Sequence, residues 1–185
     1  MTIYTTFNKT YSLFLCIVLC LSFISVHAQT CNGNLISTAP NLRFSDNANG
    51  TVTDNRTGLM WQKCSFGQNA MTCNGSVLTV SWFDALTNTN SVNQGIGFAG
   101  YTDWRLPNIK ELRSLVEQKC VSPAINLNVF PSTPSSYTYW SSSPAVDFGF
   151  GGNYVWVFST NSGLVRTDSR EAVTSNAVKL VRDVN

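Results

Sequence analysis

The sequence predicts a small α+β domain cross-linked by disulfide bonds. Two segments carry apolar residues at helical spacing, and several short runs rich in aromatic and β-branched residues are separated by turn-forming residues. The 185 residues are 43% hydrophobic and only 12% charged, which excludes an intrinsically disordered chain. A mature chain of about 150 residues is enough for one hydrophobic core, and we therefore expect one domain.

The first 28 residues have the pattern of a cleaved secretory signal. Lys9 precedes an apolar run from Leu13 to Val26, and the run ends in Val26-His27-Ala28, a small-x-small pattern of the kind that signal peptidase cleaves. The alternative is a membrane anchor, but the run is shorter than the ~20 residues that span a bilayer. We expect cleavage after Ala28, export, and no membrane span in the mature chain.

Four cysteines remain after cleavage, and an even number in an exported chain predicts disulfides. Three pairings are possible, but Cys64 and Cys73 lie close together across a polar, glycine-containing stretch, which favours a local bond. The second bond is then Cys31–Cys120. It would tie an N-terminal lead (residues 29–41) to a single domain over residues 42–185.

The first predicted elements are strands and a helix. Leu42 to Phe44 is an extended run, and Asn49-Gly50 forms the turn of a hairpin with Thr51 to Thr53. A second turn, from Asp54 to Gly58, leads to an apolar segment from Leu59 to Trp61. Farther on, Ser81 is the N-cap of a predicted helix that contains Trp82, Ala85 and Leu86 and ends at about Asn90.

The second predicted helix has a capping box. Glu111 follows Asn108 by three positions, as the motif requires, and Pro107 comes immediately before. The apolar stripe of this helix consists of Ile109, Leu112, Leu115 and Val116, and its exposed side of Lys110, Arg113 and Glu117. Strands are predicted after Cys120 at Tyr137 to Trp140, Tyr154 to Phe158, Leu164 to Thr167 and Ala177 to Val181.

Charge and residue types exclude several classes of function. The chain has 12 basic and 10 acidic residues, a balance that gives no support to nucleic-acid binding. His27 is the only histidine and lies in the signal, so the mature chain cannot assemble a histidine-based catalytic site. The cysteine spacings do not match a structural zinc site, and the turn at residues 45–50 fails as a calcium loop because Arg56 occupies the place of the required glutamate. We expect no metal and no cofactor.

Paired carboxylates, as in glycosidases, remain a possible catalytic arrangement in principle. The acidic residues are scattered, and most lie at turns, helix caps or helix faces, where a solvated or capping role is the simpler interpretation. These residues are Asp54, Asp84, Asp103, Glu111, Glu117 and Asp147. We therefore expect a protein that is not an enzyme.

Four motifs occur in an order and spacing that resemble one known family. They are Thr51-Val52-Thr53-Asp54 through Thr57-Gly58-Leu59-Met60-Trp61, then Gly100-Tyr101-Thr102-Asp103-Trp104-Arg105-Leu106-Pro107-Asn108 with Glu111-Leu112, then Tyr139-Trp140-Ser141-Ser142, and Val178-Lys179-Leu180-Val181-Arg182. Together they resemble the Lcl C-terminal domain family, named for the Legionella collagen-like adhesin. The resemblance covers about residues 42 to 183.

The resemblance implies a C-type-lectin-like fold, related to that of the formylglycine-generating enzyme, in a mostly secreted bacterial group. We accordingly expect a secreted, periplasmic or cell-surface protein. For the namesake, the family picture is an adhesin domain that binds sulfated polysaccharides, although this chain lacks a collagen-like repeat. The enzyme branch of the fold depends on a late pair of reactive cysteines, and none follows Cys120. That activity is not implied here.

The candidate ligand-binding residues are basic and aromatic. Lys110 and Arg113 lie one helical turn apart on the exposed helix face, with Lys119 beyond, and could contact sulfate; alternatively they only solvate the helix. Tyr154 closes an aromatic, glycine-rich stretch that begins at Phe148 and is a candidate ligand loop. The other large aromatic residues, Trp61, Trp140, Trp156, Tyr137 and Tyr139, are expected first in the core, although an exposed one could stack on a sugar.

Arg105 is expected to pair with Asp103, Asp54 or Glu111, or to donate to backbone carbonyls, while its neighbours Trp104 and Leu106 fill the core.

Two functions stay open. The first is a carbohydrate-binding or adhesin-like module whose partner is a polysaccharide or glycosaminoglycan-like ligand. The second is a structural or protein-interaction domain whose partner is an envelope protein. Fold analogy alone does not choose between them.

Overall fold

The computed structural model describes residues 28–145, 152–172 and 176–184. Most of the expected signal segment, Asp147 and residues 148–151 of the aromatic stretch lie outside these ranges. In chain order the described elements are β1 (Thr30–Cys31), a 3₁₀ helix (Asn41–Arg43), β2 (Phe44–Asp46), β3 (Thr51–Asp54), β4 (Leu59–Gln62), α1 (Trp82–Val92), α2 (Ile109–Ser114), β5 (Cys120–Val121), β6 (Thr138–Pro144), β7 (Tyr154–Ser159), β8 (Val165–Ser169), β9 (Asn176–Ala177) and β10 (Val181–Asp183). This mixture of strands with two helices confirms the α+β class.

The first sheet contains the predicted hairpin. Its strand order is β10-β4-β3-β2, and all neighbouring strands are antiparallel. Gly50 ends the turn between β2 and β3 with a φ of +84°, a conformation that glycine adopts without strain. The prediction of an extended run from Leu42 was wrong at its start, because the chain makes a 3₁₀ turn through Arg43 first and β2 begins at Phe44. This turn directs the Arg43 side chain inward.

The second sheet has the order β8-β7-β6-β9, with β9 parallel to β6 and the other pairs antiparallel. The strands predicted in β6, β7 and β8 are confirmed. The single strand predicted from Ala177 to Val181 was wrong: β9 pairs in this sheet, whereas β10 pairs with β4 in the first. The residues between them, 178–180, are buried and cross from one sheet to the other. Their carbonyls accept bonds from the backbone of residues 62 and 66.

Both helices begin at the predicted caps. The Ser81 hydroxyl accepts from the Asp84 backbone N–H at 3.1 Å, and Asn108 and Glu111 form the complete capping box. α2 is shorter than its apolar pattern suggests, since it ends at Ser114 with Leu115 as C-cap. The helical periodicity therefore does not extend to the residues that follow.

The core consists of two clusters. One surrounds Trp61 and contains Leu112 and Leu115 of the α2 region, and the other contains Trp104, Leu106 and Trp140. Tyr139 is also buried, whereas Tyr137 is half-buried against the first cluster. Trp156 differs from the expectation, because it is half-buried on β7 and belongs to neither cluster. Within the described residues, no helix is long and apolar enough to span a membrane.

Both predicted disulfides are present. Cys64–Cys73 closes a short loop, and Cys31–Cys120 joins the N-terminal lead to the chain that follows α2. The second bond lies within a two-stranded antiparallel sheet of β1 and β5, each only two residues long. Strands this short have no detectable sequence pattern. The lead is thus fixed beside the end of α2, where the candidate site lies.

Candidate functional site

Arg43 joins three parts of the molecule: strand β3, the end of α2 and the N-terminal lead. Its guanidinium binds both carboxylate oxygens of Asp54 on β3, with Nε donating to Oδ1 at 2.8 Å. Its Nη1 donates to the Ser114 carbonyl at the end of α2 (2.8 Å) and to the Thr38 carbonyl of the lead (3.3 Å). Both members of the ion pair are buried. The sequence did not predict this pair.

Asp54 was expected at a solvated or capping position, and the solvated alternative was wrong. It caps its turn, accepting bonds from the Arg56 backbone N–H and the Thr57 hydroxyl, while its side chain is fully buried. Burial alone would raise the pKa of this carboxyl, but the hydrogen bonds from Arg43, Thr57 and Arg56 and the Arg43 charge lower it below its ordinary value. Asp54 therefore stays ionised and keeps Arg43 in place.

Glu117 anchors the lead. It was expected on the exposed side of α2, but it is only 2% exposed, because α2 ends before it. Its carboxylate accepts from the Ser37 hydroxyl and from the backbone N–H groups of Thr38, Ala39 and Lys119. These bonds outweigh the effect of burial and lower the pKa of Glu117. The negative charge is thus matched by donors within the fold.

A cavity of about 560 Å³ opens between the lead, the turn after β3, the end of α2 and the β7–β8 turn. We call it the arginine cavity. Its lining includes Arg56, Arg113, Thr57 and Gln118, together with the exposed apolar residues Val121 and Leu164. None of the described residues that line it is acidic, and among the described residues neither the Arg56 nor the Arg113 side chain has a hydrogen bond or an ion pair. The cavity therefore presents two free guanidinium groups.

Two other arginines are already paired. Arg105 binds Glu111 through two 2.9 Å bonds and also contacts Asp183 at 3.3 Å, which selects Glu111 from its three predicted partners. Arg182 binds Asp103 at 2.7 Å and stacks over the Tyr101 ring. These arginines are held by carboxylates of the chain itself.

The structure separates the residues that the sequence suggested for ligand binding. Arg113 lines the arginine cavity, whereas Lys110 is exposed one turn earlier and is not among its lining residues. Tyr154 begins β7 and is half-buried, while the cavity meets the turn beyond the opposite end of that strand, roughly 17 Å away for a strand of this length. Arg56 was missed, because nothing in its turn indicates that it faces α2.

Lys179 is a further charged group that the sequence did not single out. Its ammonium is buried, donates to the Gln62 and Lys63 carbonyls at 3.1 and 3.0 Å, and lies 4.9 Å from the Phe130 ring centroid. Burial lowers the pKa of Lys179 to about 7. It lies in the core and is not among the residues that line the arginine cavity.

Other arrangements in the described residues offer less chemistry. No group of three or more histidine, cysteine, aspartate or glutamate side chains that could hold a metal ion occurs within residues 28–145, 152–172 and 176–184. A smaller cavity, about 270 Å³, lies beside Phe66, Phe98 and the Cys64 sulfur, and none of its described lining residues is charged. The arginine cavity is therefore the stronger candidate site.

The fold and its cross-links define a disulfide-bonded α+β domain with a basic cavity beside an anchored N-terminal lead. The family comparison agrees with the motifs: a family model described as the Lcl C-terminal domain matches residues 50–182, and the chain belongs to this family. No curated protein is similar enough to the chain to give a match. The matched region begins inside the first hairpin, so the lead and Arg43 precede it, whereas Arg56 and Arg113 lie within it.

Proposed function

We propose that the mature chain is an exported, non-catalytic, adhesin-like binding module that captures an anionic polysaccharide in the arginine cavity. The observation that carries this proposal is the pair of unpartnered guanidinium groups of Arg56 and Arg113 in a cavity whose described lining has no acidic residue. The family membership supports it, because the domain is associated with an adhesin. Two disulfides support an oxidising compartment, as expected for a secreted or surface protein.

The chemistry of the cavity suits a sulfated sugar. A guanidinium presents a planar fork of N–H donors that matches sulfate or carboxylate oxygens, and its charge does not depend on pH in the physiological range. The hydroxyl of Ser162 and the amide of Gln118 can serve sugar hydroxyls. Val121 and Leu164 offer apolar surface to the C–H face of a sugar ring. Net charge is close to neutral, so affinity depends on this local arrangement.

A protein partner in the envelope is the second candidate. Ile36 lies in the lead and is 91% exposed. Leu42, the first residue after the lead, is 97% exposed. Large apolar side chains at full exposure are typical of contact surfaces when they cluster. This candidate predicts binding that is insensitive to salt and to the two arginines.

We infer the C-type-lectin-like fold from the family and from the combination of two helices, antiparallel hairpins, long loops and two disulfides. Superposition of an experimental structure on proteins of that fold tests it.

Lack of catalysis is part of the same proposal. A sulfated polysaccharide incubated with the oxidised protein should keep its length and its sulfate content. Cleavage after Ala28 predicts that the exported protein starts at Gln29, which N-terminal sequencing checks.

The central test is retention of the purified, oxidised protein on heparin as a function of salt. The double variant Arg56→Gln/Arg113→Gln should lower affinity by about tenfold or more, since each lost charge-assisted contact contributes about 1.5–3 kcal/mol when well formed. Lys63→Gln is a control for the loss of one positive charge outside the cavity, where Lys63 pairs with Asp46. Equal retention of the double variant and the wild type would disprove the arginine cavity as the glycan site.

A further inference from the structure

Two more hollows adjoin the arginine cavity around the lead. One, of about 590 Å³, has Leu42, Arg43 and Arg56 among its lining residues. The other, of about 360 Å³, is lined by residues that include Asn41, Leu42, Glu117, Lys119, Asn126 and Asn128. We call the first the middle hollow and the second the asparagine hollow.

The middle hollow shares lining residues with each of the other two spaces. The middle hollow has Thr38, Arg43 and Arg56 in common with the arginine cavity. It has Ser37, Pro40 and Leu42 in common with the asparagine hollow. The lead and the 3₁₀ turn after it therefore form a continuous wall, and a flexible chain lying along this wall would pass from Arg113 to Arg56 and on to Lys119.

The asparagine hollow has a cation of its own, Lys119. The backbone of Lys119 is fixed by bonds from its N–H to Glu117 and from the Asn32 N–H to its carbonyl, while its ammonium has no hydrogen bond or ion pair among the described residues. Glu117 also lines this hollow, but its carboxylate is buried and accepts four hydrogen bonds from the fold. Lys119 is thus free to meet an anionic group.

Side-chain amides provide neutral recognition in the same hollow. Asn126 donates to the Ala39 carbonyl and to Asn41 Oδ1, both at 2.8 Å, which fixes the Asn41 side chain and leaves its amide N–H₂ without a partner among the described residues. Asn128 is exposed beside it. Amides both donate and accept, and this matches the hydroxyl groups of a sugar. Leu42, exposed between the two hollows, can pack against a ring face.

We propose that the lead and its 3₁₀ turn extend the arginine cavity into a groove for a polymeric anionic glycan several sugars long. Arg56 and Arg113 bind one anionic group, Leu42 packs on the intervening ring, and Lys119 with Asn41 and Asn128 binds the next anionic group and its neighbouring hydroxyls. This inference rests on the proposed function. Of the residues that it adds to the site, Asn41 and Leu42 precede the family match, which begins at residue 50, whereas Lys119 and Asn128 lie within the match.

Sulfated oligosaccharides of defined length, prepared from heparin as a disaccharide through an octasaccharide, test the groove by calorimetry on the oxidised protein. The wild type should bind longer chains more tightly than the disaccharide. Lys119→Gln/Asn128→Ala should bind the disaccharide like the wild type and lose the gain with length, on the order of fivefold or more. Arg56→Gln/Arg113→Gln should weaken binding at every length. Lys110→Gln, at an exposed lysine outside the three spaces, should change neither the affinity for the disaccharide nor the gain in affinity with length.

The outcomes separate the groove from the site on which it depends. A disaccharide that binds as tightly as the octasaccharide, or a length dependence that survives in Lys119→Gln/Asn128→Ala, overturns the groove and leaves the arginine cavity intact. Absence of binding at every length overturns both. Poly-glutamate that binds as tightly as the octasaccharide, with the same dependence on Lys119, overturns the glycan in favour of an acidic protein. Thermal unfolding of each variant shows whether it retains the fold.

Discussion

Two pairs of arginines in the domain differ in which groups surround their charges. In the first, which we call the paired face, Arg105 and Arg182 are held by Glu111, Asp183 and Asp103 of the same chain. In the second, which we call the unpaired face, Arg56 and Arg113 line a cavity whose described walls contain no carboxylate. The residue type is the same, and only the neighbours differ.

This difference explains how a nearly neutral chain can present a basic site. Arginine that is paired internally contributes to the fold and adds little to the field outside it, whereas unpaired arginine keeps its donors for a ligand. The buried pair of Arg43 and Asp54 lies beneath the unpaired face and supports its wall. Substitutions that remove or add a carboxylate partner therefore test whether internal pairing decides which arginines are available to a ligand.

The largest expected effect comes from breaking the buried pair. Asp54→Ala leaves the Arg43 guanidinium buried without a carboxylate, and losing one partner of a buried pair costs about 3–5 kcal/mol. We expect this loss in the free energy of unfolding, measured by urea denaturation of the oxidised protein. Asp183→Ala is the control, because Asp183 is exposed and Arg105 retains Glu111. It should cost no more than about 0.5 kcal/mol, and equal losses would contradict the comparison.

Lys179 represents a third arrangement, a buried basic group that donates to backbone carbonyls and lies over the Phe130 ring, with no carboxylate partner among the described residues. Its pKa of about 7 in the folded protein lies below the ordinary 10.5, so between these values the unfolded chain binds more protons than the folded one. The free energy of unfolding should therefore rise from pH 7 to pH 10, by at most about 1.4 kcal/mol per pH unit.

Lys179→Met should remove this rise, because methionine fills the same space without titrating. Lys110→Met, at an exposed lysine, should keep it. Urea denaturation at several pH values measures the slope for all three proteins. An unchanged slope in Lys179→Met would show that Lys179 is not the group responsible.

Local patterns account for the parts of the fold that the sequence predicted. The caps of α1 and α2 depend on Ser81, Asn108 and Glu111 and their immediate neighbours, and the Asn49-Gly50 hairpin is equally local. The disulfides followed from spacing. The segment from Ala177 to Val181 was misassigned because strand propensity does not show which sheet a residue joins, and here the chain leaves one sheet for the other.

The site was less predictable because its residues meet only through tertiary contacts. Arg113 could be placed on an exposed helix face, but the role of Arg56 depends on the turn after β3 lying opposite the end of α2. Glu117 has helical spacing from Arg113, and only the end of α2 at Ser114 reveals that it turns inward. No local signal marks an ion pair such as Arg43 with Asp54, since the 3₁₀ turn that forms it was itself unexpected.

A smaller effect should follow from weakening the paired face. Glu111→Gln removes the charge that holds Arg105 but preserves a side chain able to cap α2, so we expect a loss of about 1 kcal/mol in unfolding free energy. Arg105 then retains Asp183 as its only ion-pair partner among the described residues, and retention on heparin should increase slightly. Glu171→Gln is the control, since it makes the same charge change at an exposed position with one weak contact to Asn153. It should change neither property, and a Glu171→Gln variant that matched Glu111→Gln would reduce both effects to net charge.

The smallest change in stability should accompany the sharpest test of the unpaired face. Gln118→Glu places a carboxylate in the arginine cavity, where it can pair with Arg113 and make this face resemble that of Arg105. Because Gln118 is exposed, the unfolding free energy should stay within about 0.5 kcal/mol of the wild type, while affinity for heparin falls about threefold or more. Gln94→Glu adds the same charge at an exposed position outside the cavity and should leave retention almost unchanged. If both variants weaken binding equally, net charge governs the interaction; if only Gln118→Glu does, the absence of a carboxylate partner in the cavity is what makes these arginines available.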